Sequence, residues 1–66
     1  MEQTPSTYAL ENVLTETQKM KQVMYDLRRM FAESNMLGAR SACNRIVASL
    51  SSIRVEVIEI LDEREA

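Results

Sequence analysis

Histidine and tryptophan are missing from this chain, and glycine, proline and cysteine occur once each. A single cysteine excludes an internal disulfide framework. With no histidine and one thiol, a structural zinc site is excluded and no transition-metal site is expected. Ser-His-Asp and Cys-His catalysis are not available within the chain. One glycine excludes the glycine-rich loops that cradle phosphates. Carboxylates remain, in Glu56, Glu59, Asp62 and Glu63. Acid–base work needs a cleft that drives two pKa values apart, and the sequence offers none, so these four read as a solvated face. No catalytic, cofactor-binding or metal-binding residue is assigned, and the chain reads as a non-enzyme.

Long apolar runs are missing too. Ile46 to Ile53 is the longest uncharged stretch of the second half, eight residues with three serines among them. A spanning helix needs about 20 apolar residues. The start, Met1-Glu2-Gln3-Thr4-Pro5, is acidic and polar, unlike a secretion signal. The expectation is a cytoplasmic protein, away from membranes, whose free thiol at Cys43 stays reduced. Cys43 reads as a small buried hydrophobe that points away from Arg40 and Arg45.

What is present is 66 residues, 45% apolar and 27% charged. That suits one small domain. A single core of this size rarely supplies more than ~3–5 kcal/mol. Small proteins add disulfides, a metal or a partner chain, and the first two are excluded here.

The apolar spacing is helical. Thr4-Pro5 reads as a helix start, with Ser6 or Thr7 as alternative caps. With Leu10 as heptad position a, the a and d positions run Leu10, Val13, Thr17, Met20, Met24, Leu27, Phe31 and Ser34. Leu14, Val23 and Met30 flank them, and the apolar arc spans roughly 200°. Gly38 suits the left-handed residue after this helix, with Asn35 as second candidate, and Ser41 reads as the next cap. With Cys43 as a, the second set is Cys43, Ile46, Leu50, Ile53, Val57 and Ile60, with Val47 and Leu61 at e and Ile58 at the edge. Its arc spans about 160°. The β-branched run from Ile53 to Ile60 has strand propensity, but no other segment alternates to pair with it, and the heptad fit decides for helix. The fold class is therefore all-α: an antiparallel two-helix hairpin of coiled-coil type, completed to a bundle by a second chain. Its expected parts are a tail over 1–6, helix 1 over 7–35, a turn over 36–40, helix 2 over 41–63 and a tail over 64–66.

Charge is segregated. Glu2 to Glu16 carries three acidic residues and no basic one; Lys19 to Arg54 carries seven basic against two acidic; Glu56 to Ala66 carries five acidic against one basic. Folding at mid-chain sets two acidic ends together and gathers Arg28, Arg29, Arg40 and Arg45 around the turn. This basic patch is a candidate phosphate contact, but only Tyr25 and Phe31 lie near for stacking, so nucleic acid is the less favoured partner.

The chain resembles the small helical-hairpin co-chaperones that hold needle subunits of bacterial type III secretion systems. The likeness rests on size, the Leu10-Glu11 pair, the mid-chain break and a closing apolar cluster of Ile53, Val57, Ile58, Ile60 and Leu61. It implies a cytosolic heterocomplex that keeps an aggregation-prone secreted subunit monomeric. In architecture alone the hairpin also resembles the Rop-like type, which dimerises into a four-helix bundle and binds paired RNA loops.

Arcs this wide leave apolar surface over after one intramolecular seam closes. Function is therefore expected to be binding, by an adaptor, chaperone or regulator that meets either itself, as an antiparallel homodimer, or another helical protein. The free chain is expected to be helical and not monomeric. Met20 and Met24 are expected in the core. A charge at Ile53, in the middle of the tightest heptad run, is expected to abolish helicity and association together.

Overall fold

A computed structural model describes residues 4–65 as two helices, α1 (Thr7–Glu33) and α2 (Leu37–Glu65), packed against each other with no strand among the described residues. Residues 1–3 and 66 lie outside the described residues, and with them half of the expected tail 1–6; of the expected tail 64–66, Arg64 and Glu65 instead continue α2, which does not stop at 63. The molecule is a rod 49 Å long and about 20 Å across.

Ser6 starts α1. Its backbone is extended, and its hydroxyl accepts the Ala9 amide at 3.0 Å, satisfying one of the helix's free donors. The Leu, Met, Gln, Glu, Lys and Arg content of the following 27 residues favours helix throughout. The β-branched run Ile53 to Ile60 lies inside α2, where tertiary packing overrides its strand propensity.

The turn is shorter than its sequence suggests. α1 stops at Glu33, two residues early, and α2 begins at Leu37, so Ser41 lies inside the helix and caps nothing. The left-handed residue is Asn35, at φ 61°, and not Gly38. The Met36 amide donates to the Phe31 carbonyl at 2.8 Å and the Asn35 amide to the Ala32 carbonyl at 3.2 Å. These two bonds form a Schellman cap, which needs one residue at positive φ and brings apolar Met36 back towards the helix end. Asparagine tolerates that conformation better than other side-chain-bearing residues. Gly38 sits in the first turn of α2 without a positive φ, and a Cβ there would meet nothing within 4 Å. Two substitutions therefore have opposite expected signs in thermal melts. Gly38→Ala raises stability by ~0.5–1 kcal/mol, the helical cost of glycine. Asn35→Val lowers it by ~1–2 kcal/mol, the left-handed penalty.

Three side-chain pairs across the helices, among the described residues, fix the register. Arg28 donates to Asn44 Oδ1 at 3.0 Å, Arg54 to Thr17 Oγ1 at 3.1 Å, and Arg64 reaches Thr7 Oγ1 at 3.5 Å. The numbers in each pair add to 71 or 72, which makes the hairpin antiparallel and closes it about the turn.

Seam and outer rows follow from this register. Among the described residues, Leu10, Thr17, Cys43, Leu50 and Val57 are the buried ones, all at heptad position a. Between them the e positions close the seam: Leu14, Lys21 and Arg28 on α1 and Val47, Arg54 and Leu61 on α2, each half-buried. Position a of one helix meets position e of the other, giving layers such as Leu14 on Val57 and Met24 on Val47. On α2 the expected seam of a and d positions is thus corrected to a and e, while on α1 Val13 and Leu27 at d are half-buried alongside the e positions. Ile46, Ile53 and Ile60 leave the seam, and Met20 is not core.

Candidate functional site: an apolar face shared by both helices

The d positions now define a surface. On α1 they are Val13, Met20 and Leu27; on α2 they are Ile46, Ile53 and Ile60. Ile46 is 42% exposed, Ile53 43%, Ile60 37% and Met20 48%, while Val13 and Leu27 are half-buried beside the seam. At 100° per residue, position d lies about 80° to one side of a seam centred between a and e. The helices run in opposite directions, so the two rotations bring both d rows to the same side of the hairpin. Facing heights set Ile60 two residues from Val13, Ile53 two from Met20 and Ile46 two from Leu27. The face is three apolar tiers, each contributed by both helices and spaced by about 10 Å.

The edge of this face carries a hollow. Ala42, Arg45, Ile46, Ser49 and Leu50 line a shallow depression open to solvent. Its first four residues stand at i, i+3, i+4 and i+7, the diamond that receives a knob in coiled-coil packing. Ala42 and Ser49 are small, which leaves the diamond open; Arg45 forms its rim. A second shallow depression, between Ser52, Val55, Glu56 and Glu59, lies on the outer side of α2.

The remaining apolar residues of the sequence reading divide as follows. Leu14, Met24, Phe31, Val47 and Leu61 are half-buried along the seam with buried Leu10, Leu50 and Val57. Val23 and Met30 are exposed on the outer shoulder of α1, next to the d row, and Ile58 is exposed on the opposite side of α2.

The four arginines stand near the tip. Arg28 stacks its guanidinium 5.1 Å from the Tyr25 ring centre and bonds Asn44, and Arg29 pairs with Asp26 at 3.4 Å. Arg40 and Arg45 are exposed, on different sides of α2. Cys43 is a free thiol buried in the seam. Glu56, Glu59, Asp62 and Glu63 are all exposed.

No protein-family model, curated protein or solved structure matches this chain. The apolar face must therefore be read from its own chemistry. No helix among the described residues is long and apolar enough to cross a membrane, and no group of three potential metal ligands occurs among them.

The roles of two residues escaped the sequence reading, although Thr17 was already placed on the seam. Thr17 occupies a buried a position, where its hydroxyl donates to the Val13 carbonyl at 2.6 Å, with Leu14 at 3.2 Å as the alternative acceptor. Arg54 crosses from α2 and donates to the Leu14 carbonyl and to Thr17 Oγ1. The signal was available: Arg54 stands seven residues from both Val47 and Leu61, inside the e row. Its long apolar stem suits a half-buried site while the guanidinium finds oxygen acceptors.

Proposed function

We propose that this chain is a cytoplasmic, non-enzymatic protein–protein interaction module, an adaptor, chaperone or regulator whose binding element is the d face. The observation that carries this reading is the exposure of Ile46, Ile53, Ile60 and Met20 on one side of a molecule too small to spare them. A hairpin of 66 residues has a seam rather than a full core, and a further helical layer over the d face supplies the burial that it lacks.

Native mass spectrometry of the protein purified from its own cell tests the reading. The expected result is a complex heavier than one 7.6 kDa chain, and loss of that complex for Ile46→Asp. A single chain for both proteins would sink it.

The co-chaperone resemblance is one form of this reading. It is favoured by the closing cluster of α2, where Ile58 opens on one side and Ile53 and Ile60 on the other. A nucleic-acid role is less supported, because Arg28 and Arg29 already have partners within the hairpin.

A further inference from the structure

Both d rows are centred within about 3 Å of the same height. Facing positions add to about 71, so Ile53 stands level with residue 18, two residues and about 3 Å from Met20. Each row has three members at seven-residue intervals, with Met20 and Ile53 in the middle. A two-fold axis that runs through Met20 and Ile53, perpendicular to the helices, superposes the ends of both rows at once. One row centred elsewhere would not allow this.

We propose that the d face is covered by a second copy of this chain, in a four-helix bundle whose two turns lie at opposite ends. The proposal rests on the interaction-module reading and names its partner. α1 then packs on the partner's α1 and α2 on the partner's α2. Ile53 meets the partner's Ile53 on the axis, and Met20 meets the partner's Met20. Ile46 packs on the partner's Ile60, and Val13 on the partner's Leu27. Such an interface is isologous and closes on itself, so assembly stops at two.

Two further observations fit this symmetry. The open diamond of Ala42, Arg45, Ile46 and Ser49 is centred midway between residues 45 and 46. The axis through Ile53 carries that point to the partner's Ile60, which enters the hollow as its knob. The same operation sets Arg45, at the rim, beside the partner's Glu59 and the partner's Glu63. Charge selects the orientation as well. Turns at opposite ends place each basic tip along the partner's acidic termini. Turns together would align two segments of seven basic against two acidic residues. Each exposed pair contributes only ~0–1 kcal/mol, but all act in one direction, and the preference weakens as added salt shortens the screening length.

Sedimentation and spin-label distances test this together. Met36 is exposed at the turn and accepts a label as Met36→Cys, while Cys43 is buried in the seam and stays unlabelled. The expected result is a dimer at micromolar concentration with its two labels separated by close to the 49 Å length of the hairpin. A dimer with labels within the 20 Å width of the rod overturns the orientation. A monomer overturns the proposal. If the native complex then contains a different protein, the interaction-module reading stands without the second copy. If it contains one chain alone, both fall.

Discussion

Ile53→Asp is expected to separate the two copies of the proposed dimer and to leave each hairpin helical, whereas Leu50→Asp is expected to leave no hairpin. The residues are three apart on one helix, and both belong to the same apolar arc, yet Leu50 is 6% exposed against α1 and Ile53 is 43% exposed on the d face. In a single hairpin, an aspartate at 53 keeps its hydration, and a surface change of this kind stays within about 0.5 kcal/mol. On the proposed two-fold axis it would meet its own copy, so two carboxylates would lose water against each other. A penalty of ~3 kcal/mol for unpaired polar burial weakens association by more than 100-fold. Aspartate at 50 has no such shelter. Truncating a buried leucine alone costs ~2–5 kcal/mol, comparable with the ~3–5 kcal/mol that a core of this size supplies, and the buried charge adds to it. Circular dichroism and sedimentation of the two variants separate the cases. An Ile53→Asp chain that loses its helices would place position 53 back in the seam, and one that still dimerises would remove it from the interface.

That contrast also marks where sequence reasoning stopped. The two helices, their antiparallel course and the heptad phase are legible because apolar periodicity reports helix directly. The break is legible as a region, but Asn35 and not Gly38 takes the left-handed residue. A Schellman cap must fall where the preceding turn can donate its bonds, and a glycine three residues later is simply helical. The division of each arc is not legible. A 160° arc says how much surface is apolar and not which part of it faces the sister helix. By composition, Ile46, Ile53 and Ile60 outrank Val47, Arg54 and Leu61 as seam residues. The structure nevertheless uses the second set, with Arg54 bonded to oxygen acceptors on α1 and the fully apolar row left exposed. The two rows were distinguishable only by asking which one contained a residue able to bond across the seam.

Arg54→Leu is expected to make the hairpin more stable. The guanidinium donates to the Leu14 carbonyl and to Thr17 Oγ1, but neither acceptor depends on it. Thr17 keeps the Val13 carbonyl at 2.6 Å as the acceptor of its own proton, and the Leu14 carbonyl belongs to the interior of α1. Removing Arg54 therefore leaves no buried donor without a partner, the circumstance in which replacing a polar contact costs little. Leucine at 54 continues the e row between Val47 and Leu61, and its burial contributes ~1–2 kcal/mol. For a domain of this size, that raises the melting temperature by roughly 4–8 °C per kcal/mol. Arg54→Ala should do the reverse, by about 1 kcal/mol, since it removes the packed stem and fills nothing. Thr17→Val alone takes one acceptor from Arg54 and loses ~0.5–1.5 kcal/mol. Joined to Arg54→Leu it completes an apolar layer, so the two changes are not additive. A drop in melting temperature for Arg54→Leu would mean that the cross-helix bonds outweigh the burial. What the native arginine supplies instead is register. Shifted by one heptad, Arg54 faces Leu10 or Met24 and loses the buried Thr17 hydroxyl, so a polar residue at this one layer favours a single alignment of α1 on α2. The more stable variant should accordingly show the looser seam, with faster amide exchange around Thr17 relative to its melting temperature.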